Sequence, residues 1–312
     1  MEYFVSTDQR AYHDWQIELM IESFKAQGLE NKLIITAAET NEQRYNNIHN
    51  IFGHAKYFRH ANIGMQRGFS KLNELYSLAW CVDNRKINYP ICIMQPHVVF
   101  FDKNYTINFP DEQPSLNVAI DPFFTFELAN QKAGDFWKKQ VNTMNYYKDN
   151  WLPIGSIMFI NNMSIDFINR TIAVAEYLIV EQIINKIPVW EETIKLAWTI
   201  NTIDFLGKVN INASYNYTSS MNNGNITPFI DYNHGLPPNF NKSMFAYAPP
   251  ACMSFGDPIE VLLNCHSSPN SDYMSKLSNR LIGSRTKSEP IKPEPEPIKP
   301  EPEPIKSEPI EL

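Results

Sequence analysis

Strand-like apolar runs and amphipathic helical segments alternate along residues 2–206 of this chain. Residues 2–7 have the composition of a buried strand, and in residues 12–27 the apolar positions recur at the i, i+3, i+4, i+7 spacing of a helix. Further strands are predicted at 32–37, 91–101, 116–120 and 154–160, and further helices at 70–82, 164–185 and 190–206. This alternation predicts an α/β fold, in which a mostly parallel central sheet is flanked by helices.

The last 26 residues differ in composition from the rest of the 312-residue chain. The unit Glu-Pro-Ile-Lys recurs there, at 289–292, 296–299 and 303–306. Proline lacks a backbone donor and disfavours the α region in the residue before it, so this segment is predicted to be an extended, disordered tail. Its spaced isoleucines suit either a protein partner or a plain solvated spacer. The predicted organisation is a folded domain over 1–265, a polar linker over 266–286 and a disordered tail over 287–312.

The overall composition excludes several classes of protein. Hydrophobic residues make up 43% of the chain, which is enough for a large core. The net charge of −7 argues against a nucleic-acid partner. No window has the roughly 18 uncharged apolar residues of a membrane span, and the N-terminus has no signal-peptide pattern, so we expect no membrane span and a cytoplasmic location.

Two groups of polar residues are predicted to lie at or near strand ends. Thr7 and Asp8 close the first strand, and Gln95-Pro96-His97 lie within the apolar run 91–101. Ligands of α/β sheets bind at the carboxyl ends of the strands, so both groups are candidates for a binding site. The chain has no GxGxxG, P-loop, GxSxG or HExxH motif, which removes most dehydrogenases, NTPases, lipases and zinc proteases.

Five short motifs occur along the chain in a fixed order: Tyr3-Phe4-Val5-Ser6-Thr7-Asp8, Trp15-Gln16, Met94-Gln95-Pro96-His97, Trp151-Leu152-Pro153-Ile154-Gly155-Ser156 and Phe229-Ile230-Asp231-Tyr232-Asn233-His234-Gly235. Together they resemble the plant hydroxyproline O-arabinosyltransferases and the related peptidyl-serine galactosyltransferases. The resemblance covers roughly residues 3–250. It implies a glycosyltransferase with a GT-A-like nucleotide-sugar-binding fold, which takes a sugar from a nucleotide-sugar donor, a UDP-sugar, and passes it to a hydroxyl acceptor on a protein or peptide.

The resemblance also implies a metal site, although this chain departs from the family's ligands. The family has two acids around a proline where this chain has Gln95 and His97, and a histidine where it has Asp231. An exchange of ligands would leave His97, with Asp231 or His234, to hold Mn²⁺, since imidazole and carboxylate both suit that ion. A divalent cation would stabilise the negative charge on the leaving diphosphate. The alternative is a polar strand end without a metal, with Asp231 and His234 in a surface turn.

The remaining donor contacts implied by the resemblance come from four other motifs or positions. Thr7 and Asp8 are expected at the nucleotide, with Asp8 on a ribose hydroxyl, and Gln95 beside them. Gly155 would permit close approach to the sugar and Ser156 would offer its hydroxyl. Lys242 would meet the donor phosphates as a point charge. Each has a simpler interpretation as a helix cap, an ordinary turn or a solvated lysine.

Acceptor contacts are predicted at Glu191 and Glu192. Both lie at a predicted helix start, where carboxylates are favoured by the helix dipole alone. In related sugar transferases an acidic residue at such a position contacts the acceptor or the transferred sugar, so Glu192 is the first candidate and Glu191 the second. Two other hypotheses stay open. Gln95 favours a degenerate, non-catalytic sugar- or protein-binding module, and the repeat tail favours a structural, viral protein.

Overall fold

The structure, a computed structural model, describes part of the chain: residues 1–8, 11–100, 102, 104–109, 113–133, 136, 144–214, 218–220, 229–231, 276–277 and 279–281. The side chains of 11–12, 218–220 and 230–231 lie outside that description. His234, Lys242 and the predicted tail 287–312 lie outside it altogether. Within the predicted linker, the described residues 276–277 and 279–281 are helical, and Leu277 and Leu281 are buried.

Strands and helices alternate as the sequence predicts. In chain order they are β1 (Glu2–Asp8), α1 (Ala11–Ala26), β2 (Leu33–Ala38), α2 (Glu42–Phe52), β3 (Tyr57–His60), α3 (Ile63–Gln66), α4 (Asn73–Asp83), β4 (Ile91–Met94), β5 (Val98–Phe100), β6 (Ser115–Ile120), α5 (Phe126–Lys132), α6 (Met144–Asp149), β7 (Ile154–Asn161), α7 (Ile165–Ile184), α8 (Thr193–Asp204), β8 (Asn210–Ser214), β9 (Thr218–Ser220) and β10 (Phe229–Asp231). Short polar side chains begin four of the helices: Asn41, Asn62, Thr125 and Ser164 each accept a hydrogen bond from a backbone N–H of the first turn. No helix among the described residues is long and apolar enough to cross a membrane.

Seven strands form the central sheet, in the order β3-β2-β1-β4-β7-β6-β8. β7 runs antiparallel to both of its neighbours, and every other neighbouring pair is parallel. The carboxyl ends of β1, β2, β3, β4, β6 and β8 therefore lie at one edge of the sheet, together with the amino end of β7. This edge is called the carboxyl edge below.

The strand order contains a switch point between β1 and β4. From β1 the chain adds β2 and then β3 on one side, and it returns to place β4 on the other side of β1. In open α/β sheets the carboxyl edge at such a switch point is the usual ligand site, and this position is called the crevice below.

The prediction of one strand over 91–101 is wrong. β4 belongs to the central sheet, whereas β5 belongs to a second sheet with the order β5-β10-β9. The chain turns at Gln95-Pro96-His97, where Val98 N donates to Gln95 O at 3.2 Å. Proline has no N–H to continue a ladder, and the apolar composition persists beyond the turn because both strands are buried.

Apolar side chains cover both faces of the central sheet. One face packs against α4, α7 and α8, with Trp198 fully buried. The other face packs against α1 and the second sheet, where the rings of Tyr3, Phe24, Phe100 and Phe229 have centroids 4.9 to 6.3 Å apart. This aromatic contact fixes β5 and β10 beside the crevice.

Candidate active site

Asp8 lies at the end of β1, on one wall of the crevice. Asp8 is 7% exposed, and its Oδ1 lies 3.1 Å from Nδ1 of His13 in the first turn of α1. Thr7 is also buried. Because Val5 pairs with Met94 in the parallel β1–β4 ladder, the residues just beyond them, Asp8 and His97, come to the same edge. Asp8 and His97, which the sequence selects, thus both lie at the carboxyl edge.

His97 is buried at the turn between the two sheets, with 6% of its surface exposed. In the antiparallel β5–β10 pair, Asp231 lies opposite Val98, so the backbone of Asp231 is next to His97. Among the side chains that the structure describes, no three His, Cys, Asp or Glu groups lie close enough together to hold a metal ion. The metal therefore stays a prediction that rests on Asp231 and His234.

The amino end of β7 contributes the third strand at the crevice. Gln95 N donates to the carbonyl of Ser156 at 3.2 Å, which brings Ser156 to the carboxyl edge. Gly155 has another role in the sheet. A β carbon there would lie 2.9 Å from the carbonyl oxygen of Ala119, beside the irregularity between Val118 and Ile120 of β6. Gly155 therefore allows β7 to lie close to the backbone of β6.

A buried cation near the end of β6 binds two carboxylates. Lys195 of α8 is 7% exposed, and its Nζ lies 2.8 Å from Glu192 Oε2 and 3.2 Å from Asp121 Oδ2. Burial alone would lower the pKa of Lys195, but the two carboxylates outweigh it and raise that pKa above its ordinary value. Lys195 is therefore charged, and it holds Glu192 and Asp121 in place. These three residues are called the Lys195 cluster below.

The Lys195 cluster is linked to β1 through the first turn of α4. Glu74 lies there, and burial raises its pKa from 4.5 to about 6, although Lys71 and Lys195 lower it. Asn73, the preceding residue, accepts a hydrogen bond through its carbonyl from Ser6 Oγ of β1 at 3.3 Å. Asp121 comes directly after β6, at the carboxyl edge. The cluster therefore faces the same edge of the sheet as Asp8 and His97.

Glu191 lies further from this arrangement than Glu192 does. Its side chain is 81% exposed and pairs with Lys71 Nζ at 3.4 Å. Glu192 is 28% exposed at its side chain and is tied to Lys195. The structure thus places the first acceptor candidate within the Lys195 cluster and the second at its surface.

A second charged group lies on the other side of β1. Arg44 donates to both oxygens of Asp14 at 3.1 Å, and its Nε lies 3.2 Å from Oε2 of the buried Glu39, just after β2. Burial raises the pKa of Asp14 to about 6, although Arg44 lowers it; Glu39 and Asp8 raise it further. Asp8 therefore lies in a site with an excess of carboxylates, which Arg44 partly offsets.

Sequence reasoning missed several charged residues of this edge: Glu39, Glu74, Asp121 and Lys195. Three of them had a recoverable signal. Glu39 and Asp121 each follow a predicted strand. Lys195 lies three residues after Glu192, the spacing of neighbours on one helix face. Glu74 had no local signal, because its burial depends on how α4 packs.

Among known proteins, only solved structures resemble this chain, and they resemble it in the path of the backbone. No protein-family model matches the chain, and no curated protein matches it. Similar solved structures include the galactosyltransferase LgtC in complex with donor and acceptor sugar analogues, at 11% identity and a TM-score of 0.48, covering 90% of this chain and 96% of that chain. A glycosyltransferase involved in the glycosylation of the major capsid of PBCV-1 is 7% identical, with a TM-score of 0.39 and coverage of 79% and 97%.

A further similar structure is the apo form of the glycosyltransferase GlyE of Streptococcus pneumoniae TIGR4. It is 12% identical, with a TM-score of 0.43 and coverage of 91% of this chain and 63% of that chain. TM-scores below 0.5 carry no argument about activity or substrate. The resemblance to the plant arabinosyltransferases likewise stays a prediction from the motifs.

Proposed function

We propose that this protein is a glycosyltransferase that moves a sugar from a nucleotide-sugar donor, a UDP-sugar, to a hydroxyl acceptor. One observation carries the proposal: the crevice at the switch point between β1 and β4 has Asp8 and His97 at its walls, and the Lys195 cluster faces the same edge. The first group is suited to a nucleotide and the second to a hydroxyl. The motif resemblance adds the identity of the donor.

Thr7, Asp8, Gln95 and Ser156 form the donor side of the proposed site. Asp8 accepts a hydrogen bond from a ribose hydroxyl, and Nδ1 of His13 lies beside its Oδ1 at 3.1 Å. The Gln95 amide and the Ser156 hydroxyl contact the sugar or diphosphate. Lys242 would add a positive charge at the phosphates.

Mn²⁺ belongs to the proposal as a bound cofactor. His97 would hold it together with Asp231 or His234, since strand pairing brings the backbone of Asp231 next to His97. When bound, the ion would neutralise negative charge on the departing nucleoside diphosphate. Gln95 is a neutral group beside these ligands and adds no charge to the site.

Glu192 forms the acceptor side of the proposed site. Its carboxylate would accept a hydrogen bond from the acceptor hydroxyl, which orients that oxygen toward the transferred sugar. Lys195 holds the carboxylate at 2.8 Å, so the side chain need not be ordered when the acceptor binds. The exposed Glu191 is left as a peripheral contact.

A screen of UDP-sugars tests the proposal. We expect the wild-type protein with Mn²⁺ to release UDP from at least one of them. Asp8→Asn should slow this release at least about tenfold, because the amide is neutral and has one acceptor oxygen where the carboxylate has two. The matched control is Asp166→Asn, since Asp166 is an exposed carboxylate in the first turn of α7, which leaves the opposite edge of the sheet.

Absence of turnover with every UDP-sugar would contradict the proposed activity. If UDP nevertheless bound, the protein would be a sugar- or nucleotide-binding module. Gln95, a weak metal ligand at the position of an acid in the resembled family, is the observation that favours this second function.

A further inference from the structure

An exposed aromatic ring lies beside the Lys195 cluster. Phe123 follows β6 by three residues and is 71% exposed. Its backbone N–H donates to Oδ1 of Asp121 at 2.9 Å, and the N–H of Phe124 donates to the carbonyl of Asp121 at 3.1 Å. These bonds form a tight turn that presents Phe123 at the carboxyl edge.

The same carboxylate connects this turn to Lys195. Oδ1 of Asp121 accepts from the turn, while Oδ2 lies 3.2 Å from Lys195 Nζ. Lys195 also holds Glu192 at 2.8 Å. One buried cation therefore fixes the position of an exposed ring, through Asp121, and of a carboxylate, directly.

Rings packed behind Phe123 make the turn rigid. Phe124 stacks on Trp190 with centroids 5.6 Å apart and lies 5.2 Å from Trp151. Trp151 Nε1 donates to the carbonyl of Phe124 at 2.8 Å. An aromatic side chain on a fixed turn loses little conformational entropy when a ligand packs against it.

A cavity of about 320 Å³ lies between α5 and α6, and α5 begins at Phe126, three residues after Phe123. Its lining combines side-chain amides with an ion pair and an aromatic ring, from Phe126, Glu127, Asn130, Gln131, Asn145 and Lys148. Amides and charged groups both donate and accept hydrogen bonds, as a ligand rich in hydroxyls requires.

We propose that Phe123, Glu192 and this cavity form an acceptor subsite for a carbohydrate, so that the acceptor hydroxyl belongs to a sugar. A sugar ring has an apolar C–H face, which packs on an aromatic ring, and a rim of hydroxyls, which donate to a carboxylate. Lys195 is a positioning residue of this subsite. The inference rests on the proposed function, whose acceptor it specifies.

Binding of disaccharides, without turnover, tests the subsite. Lactose, cellobiose and maltose are titrated into the full chain in the presence of saturating UDP, with tryptophan fluorescence as the signal, because Trp151 and Trp190 pack behind the turn. We expect at least one disaccharide to bind, and Phe123→Ala to weaken it about tenfold. Phe123→Trp should retain binding, since it keeps an aromatic face.

The control variant is Ile51→Ala, which removes a 61% exposed apolar side chain from α2 and should leave the Kd unchanged. No binding of any disaccharide, binding of a hydroxyproline peptide instead, or an unchanged Kd in Phe123→Ala would each overturn the inference. Calorimetry with UDP alone separates this from the proposed function: UDP binding without disaccharide binding removes only the carbohydrate subsite, whereas loss of UDP binding removes the donor site.

Variants of Lys195 test its positioning role. Lys195→Met removes the cation from both carboxylates, and we expect the disaccharide Kd to rise about tenfold, as for loss of the ring. Lys195→Arg keeps the charge and should restore most of the affinity, a rescue that a mere packing role would not give. Should Lys195→Met fail to fold, Asp121→Asn provides the same test, because it keeps an acceptor for Phe123 N and loses the ion pair. Unchanged affinity in the folded variants would overturn the role.

Discussion

Glu74 imposes a pH-dependent cost on the folded state, because its carboxyl must ionise in a partly buried site. Its folded pKa of about 6 lies above the ordinary value of 4.5. Each pKa unit is worth about 1.4 kcal/mol, so ionisation of Glu74 disfavours the fold by up to about 2 kcal/mol. Below the unfolded pKa both states are protonated and the cost is absent, and it is fully present above the folded pKa.

We therefore expect the substitution Glu74→Gln to increase stability in a pH-dependent way. The neutral amide carries no ionisation cost, so the free energy of unfolding of Glu74→Gln should exceed that of the wild type by up to about 2 kcal/mol at pH 7.5 and by far less at pH 4. Urea denaturation at both values measures the difference. Glu30→Gln is the control, since Glu30 is exposed and should change stability by less than about 0.5 kcal/mol at either pH.

A gain that is equal at pH 4 and pH 7.5 would refute this reasoning, because the effect would then come from side-chain packing. A loss of stability at pH 7.5 would refute it more strongly. In that case the attraction of Glu74 to Lys71 and Lys195, and not the burial of its charge, would be the dominant effect.

Two further substitutions test the geometry around the crevice. Gly155→Ala should lower the free energy of unfolding by about 1–3 kcal/mol, because the added β carbon would meet the backbone of Ala119 at 2.9 Å; thermal denaturation measures this, and an unchanged melting temperature would disprove the close contact. Phe229→Ala should cost about 3–5 kcal/mol, because this fully buried ring packs on Tyr3 and Phe100. It should also weaken Mn²⁺-dependent UDP binding, since β10 carries Asp231, and full retention of that binding would separate β10 from the metal.

Much of the central sheet could be predicted from the sequence, because its strands and helices are long and strongly patterned. Val5 and its neighbours are apolar on both sides, as a strand covered on both faces requires, and the period of α1 marks one buried face. Thr7 and Asp8 follow directly from the end of such a strand. The local hydrophobic pattern was therefore enough to predict those strands and helices whose type and end are both determined by local sequence.

The division of 91–101 between two sheets could not be predicted in this way. The composition is apolar on both sides of Gln95, but the partner strands differ. Residues before Gln95 pair with β1 and β7, whereas residues after it pair with β10, which lies more than a hundred residues later in the chain. Pro96 was the one local sign of a break. Pairing between distant strands is a property of the whole fold, so it cannot be predicted from a single apolar run.

The contact between Lys195 and Asp121 could not be predicted for a related reason. Glu192 could be selected as a helix-start carboxylate, but Asp121 lies over seventy residues away and reaches Lys195 only when β6 and α8 meet at the carboxyl edge. Gly155 has a structural requirement that its local sequence does not reveal. A β carbon there would lie 2.9 Å from the carbonyl oxygen of Ala119, on the neighbouring strand.

Calorimetric titration with UDP, with and without Mn²⁺, tests the central claim most directly. The proposed donor site predicts that UDP binds the wild-type chain, that Mn²⁺ strengthens this binding, and that His97→Ala abolishes the metal dependence. The control Asp166→Asn should bind as the wild type does. Absence of UDP binding under both conditions would contradict the account, because the crevice between β1 and β4 would then hold no nucleotide.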